Sequence, residues 1–158
     1  MKKITVVSDS HGNRQALDAL DGIFAESDLI IHLGDTSSDG RYIYAKHPDK
    51  TVIINGNCDI FGAGEKESVL EIEGIKIFAC HGHLYSVKTT LARLAKRAGE
   101  LGCGVALYGH THDARESVTD GVTLLNPGTL SRYADKSYLY LVVNDGKITY
   151  KTVRINSL

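Results

Sequence analysis

Apolar residues fall into five short runs rich in Val, Ile or Leu, each ended by a polar cluster containing glycine. Residues 4–7 precede S-D-S-H-G-N, 29–33 precede G-D-T, 52–54 precede N-G-N-C-D, 75–79 precede C-H-G-H, and 105–108 precede G-H-T-H. Runs of this length and composition predict buried strands. Between them the period changes. Asn13 is placed to cap a helix reaching residue 26, with Ala16, Leu17, Leu20 and Phe24 on one face. Residues 86–101 predict a second helix, with Val87, Leu91, Leu94 and Ala98 inward and Gly102 as its stop, and 41–46 a short third. Later the pattern alternates. Residues 68–72 and 75–78 flank Glu73-Gly74, and 138–143 and 148–155 flank residues 144–147, which predicts two hairpins. Helices between early strands and antiparallel strands late favour packed sheets with helices outside over an open doubly wound sheet.

The chain has 158 residues with no repeat or Pro/Ser-rich linker, so residues 1–158 are expected to form a single domain. Lys and Arg number 18 against 19 Asp and Glu, which argues against an extended nucleic-acid surface or an anionic membrane partner. No apolar run spans a bilayer, and Met1-Lys2-Lys3 leads straight into a strand without a leader-like stretch. Cys58, Cys80 and Cys103 are odd in number and not in C-x-x-C spacing, so a reducing, cytoplasmic setting is expected.

Ligands collect outside the carboxyl ends of strands in α/β sheets. Here those ends carry Asp9, His11, Asp35, Asn57, His81, His83, His110 and His112, with glycines beside most of them. D-x-H or G-D-T alone is more often a capping turn than a ligand, and either histidine pair alone fits a metal site or structural histidines equally. Five such pieces on successive strand ends would bury carboxylates and imidazoles without apolar gain unless a cation joined them. Imidazole, carboxylate and amide oxygen suit Mn²⁺, Fe²⁺, Zn²⁺, Ni²⁺ or Co²⁺ better than Mg²⁺ or Ca²⁺. The ligand count exceeds one ion's needs, so two ions about 3.5–4 Å apart, sharing a carboxylate, are expected.

These residues resemble the calcineurin-like metallophosphoesterase superfamily, in its small bacterial and archaeal phosphodiesterase branch. The motifs stand here as Asp9-Ser10-His11, Gly34-Asp35, Gly56-Asn57-Cys58-Asp59, His81 and Gly109-His110-Thr111-His112, with Asn126-Pro127-Gly128-Thr129 as a further turn. The resemblance runs to about residue 132 and implies a four-layer α-β-β-α sandwich of two mixed β-sheets flanked by helices. It also implies a partition of ligands: Asp9, His11, Asp35 and His112 for one metal, and Asp35, Asn57, His81 and His110 for the second, with Asp35 bridging. Two divalent transition metal ions, Mn²⁺ foremost, are the expected cofactors.

The expected activity is hydrolysis of small phosphodiesters by a hydroxide held between the two metals. Asn57, Cys58 and Asp59 are the candidate catalytic residues. Relatives often place a histidine where Cys58 stands, to contact phosphate or protonate the leaving group. Here the thiol either aids the leaving group or only packs, and Asp59 orients the loop or the cysteine. Two alternatives remain: a non-catalytic metal-binding scaffold on the same fold, as in the retromer subunit resembling this branch, and a phosphomonoesterase or phosphatase. His32, within a strand, reads as a packed or surface histidine, and His47, before Pro48, as loop. The C-terminal hairpin, with Tyr138, Tyr140 and Tyr150, carries a homo-oligomer interface or covers a sheet.

Overall fold

A computed structural model describes residues 1–62 and 64–155. Its strands are β1 (Lys2–Val7), β2 (Leu29–His32), β3 (Thr51–Ile53), β4 (Glu67–Ile72), β5 (Ile75–Cys80), β6 (Val105–Leu107), β7 (Arg115–Thr119), β8 (Val122–Asn126), β9 (Lys136–Asn144) and β10 (Lys147–Ile155). The helices are α1 (Arg14–Ala19), α2 (Asp21–Glu26), α3 (Ser37–Lys46) and α4 (Ala92–Glu100). The strands form two five-stranded sheets, ordered β10-β9-β1-β2-β3 and β4-β5-β6-β8-β7. Both sheets are mixed: β1, β2 and β3 run parallel while β9 is antiparallel to its neighbours β1 and β10, and β5, β6 and β8 run parallel between antiparallel β4 and β7. This is the expected sandwich.

Period-two alternation explains the layers, because each central strand supplies two cores. Ile4, Val6, Ile31, Ile77, Ala79, Leu107, Leu139 and Leu141 meet between the sheets. The alternate residues Val7 and Ile30 face Leu17, Leu20, Phe24 and Ile43 of the first helical layer. Phe78, Cys80 and Ala106 face Leu94, Ala95 and Ala98 of α4 on the other side. Tyr138 and Tyr140 pack into the first helical layer, whereas Tyr150 stays exposed.

The helices depart from the expected boundaries. The predicted helix over 13–26 is two, broken at Leu20, which ends α1 and begins α2. The Asn13 cap is present: its side chain accepts from the Ala16 amide at 3.4 Å. The helix expected from Ser86 begins only at Ala92. Ser86 is left-handed, Val87 fills space against Gly82, and the β-branched pair Thr89-Thr90 disfavours helix, with the Thr90 hydroxyl accepting from the Ala92 amide instead. Its end is as expected, since Gly102 at φ +73° lets the Cys103 amide return to the Ala98 carbonyl at 2.8 Å. The third helix starts at Ser37, four residues earlier than expected, because Gly40 packs against Ile53 and Asp39 is drawn inward. Both expected hairpins form. A third, β7–β8, turns at Asp120-Gly121 with positive φ at both residues. The Asp-Gly pair was its signal in the sequence.

Candidate metal centre

Parallel pairing brings the ends of β1, β2 and β3 level in one sheet and those of β5 and β6 level in the other. The loops that follow are then cross-linked. The Asp9 amide donates to the Gly34 carbonyl at 2.9 Å, that of His11 to Asp35 at 3.3 Å, and that of Gly109 to His81 at 2.8 Å. Asp9, His11, Asp35, His110 and His112 all have positive φ, between 45° and 70°. Non-glycine residues rarely adopt this region, which costs roughly 1–2 kcal/mol each. The left-handed turns fold each loop back so that its side chain points across the sheet ends.

Two clusters result. In the first, the Asp9, His11 and His112 ligand atoms lie within 4.8 Å of one another. Asp9 is fully buried; its Oδ2 accepts from the Ser8 hydroxyl at 2.5 Å and the His110 amide at 3.0 Å. Its Oδ1 is buried without any hydrogen-bond partner. His112 Nε2 stands 3.2 Å and His11 Nε2 3.9 Å from that oxygen, and the two nitrogens are 3.3 Å apart. An orphaned buried carboxylate oxygen facing two imidazole nitrogens is costly alone and suited to a divalent ion.

In the second cluster, Asp35, His81 and His110 also lie within 4.8 Å. The Leu33 carbonyl can only accept, so His81 Nδ1 donates to it at 2.8 Å and Nε2 is left with its lone pair. Nε2 faces Asn57 Oδ1 at 3.0 Å, Asp35 Oδ2 at 3.4 Å and Asp9 Oδ1 at 3.8 Å. Several acceptors converge on one point, which only a proton or a cation can reconcile. Burial works against protonation of His81, yet Asp35 and Asp9 outweigh it and raise its basicity. Burial likewise pushes Asp35 up, but its bonds to His81 and the Cys58 amide prevail and hold its carboxyl well below the usual range. Asp35 is therefore ionised. Burial, then the neighbouring His81, holds His83 and His110 below the ordinary imidazole range, so both are neutral. The donor set fits two divalent transition metals.

All seven sequence-predicted ligands thus gather at one end of the sandwich. His83 joins neither cluster; its ring lies 5.4 Å from His81 and 6.2 Å from His110, with Nδ1 buried and unpartnered. Asn57 turns its oxygen to His81 and its nitrogen towards Cys58 Sγ at 3.6 Å. Cys58 is exposed, and its amide donates to Asp35 Oδ1 at 3.0 Å. Burial first, then the Asp35 charge, pushes this thiol up, so it keeps its proton at neutral pH in the metal-free protein. Asp59 faces backbone amides, those of Asp35 at 2.9 Å and of Ser37 and Gly56 at 2.7 Å. It orients the loops carrying Asp35 and Asn57.

Asp59→Asn can offer only one oxygen where the carboxylate offers two. We expect this variant to bind Mn²⁺ about 10–100-fold more weakly by calorimetry and to lose about 1–3 kcal/mol of stability. Unchanged affinity would mean that the amides hold their places without the carboxylate.

Several supporting residues gave no clear signal in the sequence. His32, expected as a packed or surface histidine, is fully buried: the Gly34 amide donates to its Nδ1 at 3.2 Å, so Nε2 donates to the Ser10 hydroxyl at 2.8 Å. Ser10 in turn donates to buried Asp39 at 2.7 Å, which also accepts from the Gly12 amide at 2.8 Å. This chain underlies the turn between Asp9 and His11. Burial keeps His32 neutral by lowering its basicity. Asn126 and Thr129, by contrast, stand in the turn that the resemblance marked in the sequence, and they brace the other side. Asn126 Nδ2 donates to the Gly109 carbonyl at 3.1 Å and the Thr111 hydroxyl at 3.0 Å, and Thr129 donates to the Asp9 carbonyl at 2.7 Å.

The comparisons agree with this geometry. The family model described as "Calcineurin-like phosphoesterase superfamily domain" matches residues 1–147. A Bacillus subtilis protein named "Probable metallophosphoesterase" is 37% identical over 130 residues, covering 80% of this chain and 74% of that one. A protein of Methanocaldococcus jannaschii named a phosphodiesterase is 28% identical over 148 residues, 83% of this chain and 86% of its own. A Streptococcus pneumoniae crystal structure, described as a predicted phosphoesterase, superposes with a TM-score of 0.82 at 24% identity, covering 97% of this chain and 89% of that one, and so supports the fold. Fold, clustered ligands and family match converge: the chain belongs to the calcineurin-like phosphoesterase superfamily, whose metallophosphoesterases are metal-dependent hydrolases.

Proposed function

We propose that this chain is a dinuclear metal-dependent phosphodiesterase acting on small phosphodiesters, with Mn²⁺ the foremost metal. The observation that carries this reading is the pair of ligand clusters, Asp9/His11/His112 and Asp35/His81/His110, which the 3.8 Å approach of Asp9 Oδ1 to His81 Nε2 brings side by side. Asp35 would also serve the first metal, and Asn57, whose Oδ1 lies 3.0 Å from His81 Nε2, would serve the second. When bound, the ions would supply the Lewis acidity that activates water and neutralises the phosphoryl oxygens. The chain's own groups hold the geometry. His81 is fixed in one tautomer by Leu33, Asp9 by Ser8 and the His110 amide, and Asp35 by Cys58 and the loop that Asp59 organises. The two carboxylates offset only half of the charge of two divalent ions, so the centre attracts a phosphate anion despite a nearly neutral chain.

The choice of diester over monoester is supported by the Methanocaldococcus relative's name. Cys58 stands at the exposed edge of this centre, where bound cations would favour its thiolate and make it a weak proton donor to a departing alkoxide. Free Cys58, Cys80 and Cys103 accord with work in the cytoplasm. Among the described residues, no helix is long and apolar enough to cross a membrane.

The test is hydrolysis of bis(4-nitrophenyl) phosphate against 4-nitrophenyl phosphate, with and without Mn²⁺, for wild type and Asp35→Asn. We expect Mn²⁺-dependent turnover that favours the diester and disappears in the variant. Faster monoester turnover would favour a phosphatase. No turnover with any of the five transition metals would favour a binding scaffold. An aryl methyl diester should lose aryl oxide far faster than a dialkyl diester reacts, and Cys58→His should narrow that gap.

A further inference from the structure

A cavity of about 320 Å³ opens beside the histidines of the second cluster, lined by Val87, Lys88, Leu91, Tyr108, Thr111, Asp113 and Arg115. Its position relative to the metal ligands is fixed by two contacts. Thr111 lies between His110 and His112, and its hydroxyl is held by Asn126 at 3.0 Å and by the Asp113 amide at 3.2 Å. Val87 and Tyr108 close behind Gly82, which lies between His81 and His83: a Cβ at Gly82 would stand 2.8 Å from Val87 and 3.6 Å from Tyr108. The cavity is therefore lined by the residue between His110 and His112 and by two side chains packed behind the His81–His83 loop.

Neither cation of this cavity, Lys88 or Arg115, has a carboxylate within ion-pair distance among the described residues, whereas Lys46 and Arg97 elsewhere are tied to Asp18 and Glu67. Lys88 stands near enough to His110 for its charge to oppose protonation of that ring. Asp113 offsets one of the two positive charges, leaving a net positive wall. Arg115 also lines a second cavity, of about 380 Å³, between the edge strands β7 and β10, with Lys151 and Arg154 opposed by Glu116. Positive charge thus continues outward from the histidine side of the centre.

We propose that this cavity is a subsite for a second anionic group of the substrate, so that the preferred phosphodiester carries a further phosphate or carboxylate held by Lys88 and Arg115. This rests on the phosphodiesterase reading and narrows its substrate class. A phosphodiester seated on the metal centre can extend one substituent over the His110–His112 loop into the cavity. Two cations of different reach, one flexible ammonium and one guanidinium fork, suit a compact oxyanion. The small apolar share of the wall, Val87 and Leu91, leaves room for the spacer between the two charges.

The experiment compares thymidine 5′-(4-nitrophenyl phosphate) with the same diester bearing a 3′-phosphate, for wild type, Lys88→Glu/Arg115→Glu, and Lys96→Glu on exposed α4. Binding of thymidine 3′,5′-bisphosphate and thymidine 5′-monophosphate to the Mn²⁺-loaded proteins is measured alongside by calorimetry, so the subsite is read without turnover. The 3′-phosphate should lower both KM and Kd about tenfold in wild type. The ratio should fall to about one in the double variant and persist in Lys96→Glu, which changes the same kind of charge away from the cavity. Equal constants for both members of the pair in wild type would overturn the subsite, as would a preference surviving in the double variant or lost equally in Lys96→Glu. Absent turnover of every diester refutes the phosphodiesterase reading, while the calorimetric ratio still decides whether Lys88 and Arg115 hold a second anion.

Discussion

Asparagine at position 9 should make the metal-free protein more stable while removing its metal-dependent activity. Asp9 is fully buried, and its two oxygens have unequal surroundings. Oδ2 accepts from Ser8 and the His110 amide, a role that an asparagine oxygen can take over. Oδ1 has no hydrogen-bond partner and looks at His112 Nε2, 3.2 Å away. An amide nitrogen placed there donates to that imidazole, so the buried position gains the hydrogen-bond partner that Oδ1 lacks. We expect a gain of about 1 kcal/mol, or about 2–4 °C in the melting temperature of the metal-free protein near pH 8. The same change would take from the first metal one of the two carboxylates proposed to hold it. Losing about 4 kcal/mol of transition-state stabilisation lowers turnover about 10³-fold. Scanning calorimetry and a Mn²⁺ titration read the two effects separately. An Asp9→Asn protein that melts lower yet keeps its Mn²⁺ affinity would show that Oδ1 is not the metal's oxygen.

Gly56→Ala should be nearly as damaging for a different reason. A Cβ at Gly56 would lie 2.1 Å from Asp35 Oδ1, 2.8 Å from Asp35 Cγ and 2.8 Å from the Asp35 amide nitrogen. Rotating Asp35 away relieves the first clash but breaks its bond to the Cys58 amide and swings Oδ2 off His81. The contact of the Cβ with the amide nitrogen has no rotamer solution, because both atoms are fixed by the backbone. Only separation of the two loops removes it, and Asp59, bonded to both amides, resists that separation. We expect about 2–3 kcal/mol of destabilisation and turnover reduced about 10²-fold or more. Gly22→Ala in α2 is the matched control. Nothing lies within 4 Å of its Cβ position, so it should leave activity intact and add about 0.5 kcal/mol through helix propensity. Equal behaviour of the two variants in Mn²⁺ binding would remove the steric argument.

Much of the fold was legible because burial is written in local periods. Strands covered on both faces must be apolar throughout, and all five such runs form strands at the expected places. Glu73-Gly74 and Asp145-Gly146 announced hairpins because left-handed turns need such residues. Helix starts were less legible. Ser86 to Leu91 has helical spacing, yet Val87 is claimed by the gap over Gly82 and Ser86 by a left-handed turn. A residue's partner across the fold outweighed its local preference.

The candidate site divides along the same line. The sequence by itself determined which side chains are available to hold metals, since Asp, His and Asn recur together at the ends of five buried strands. It also determined that the loops could turn tightly, through the glycines beside them. Only the tertiary structure decided how each side chain is held: Asp9 by Ser8, His81 by Leu33 from the opposite sheet, and Asp59 by amides 24 and 22 residues away in the chain. It gave Ser10, His32 and Asp39 a shared purpose that no spacing reveals, and set Lys88 and Arg115 beside one cavity. The physical reason is one of range. Ligand identity and strand pattern are local properties of the chain, whereas the direction of a hydrogen bond or the sign of charge in a cavity depends on which distant segments packing brings together.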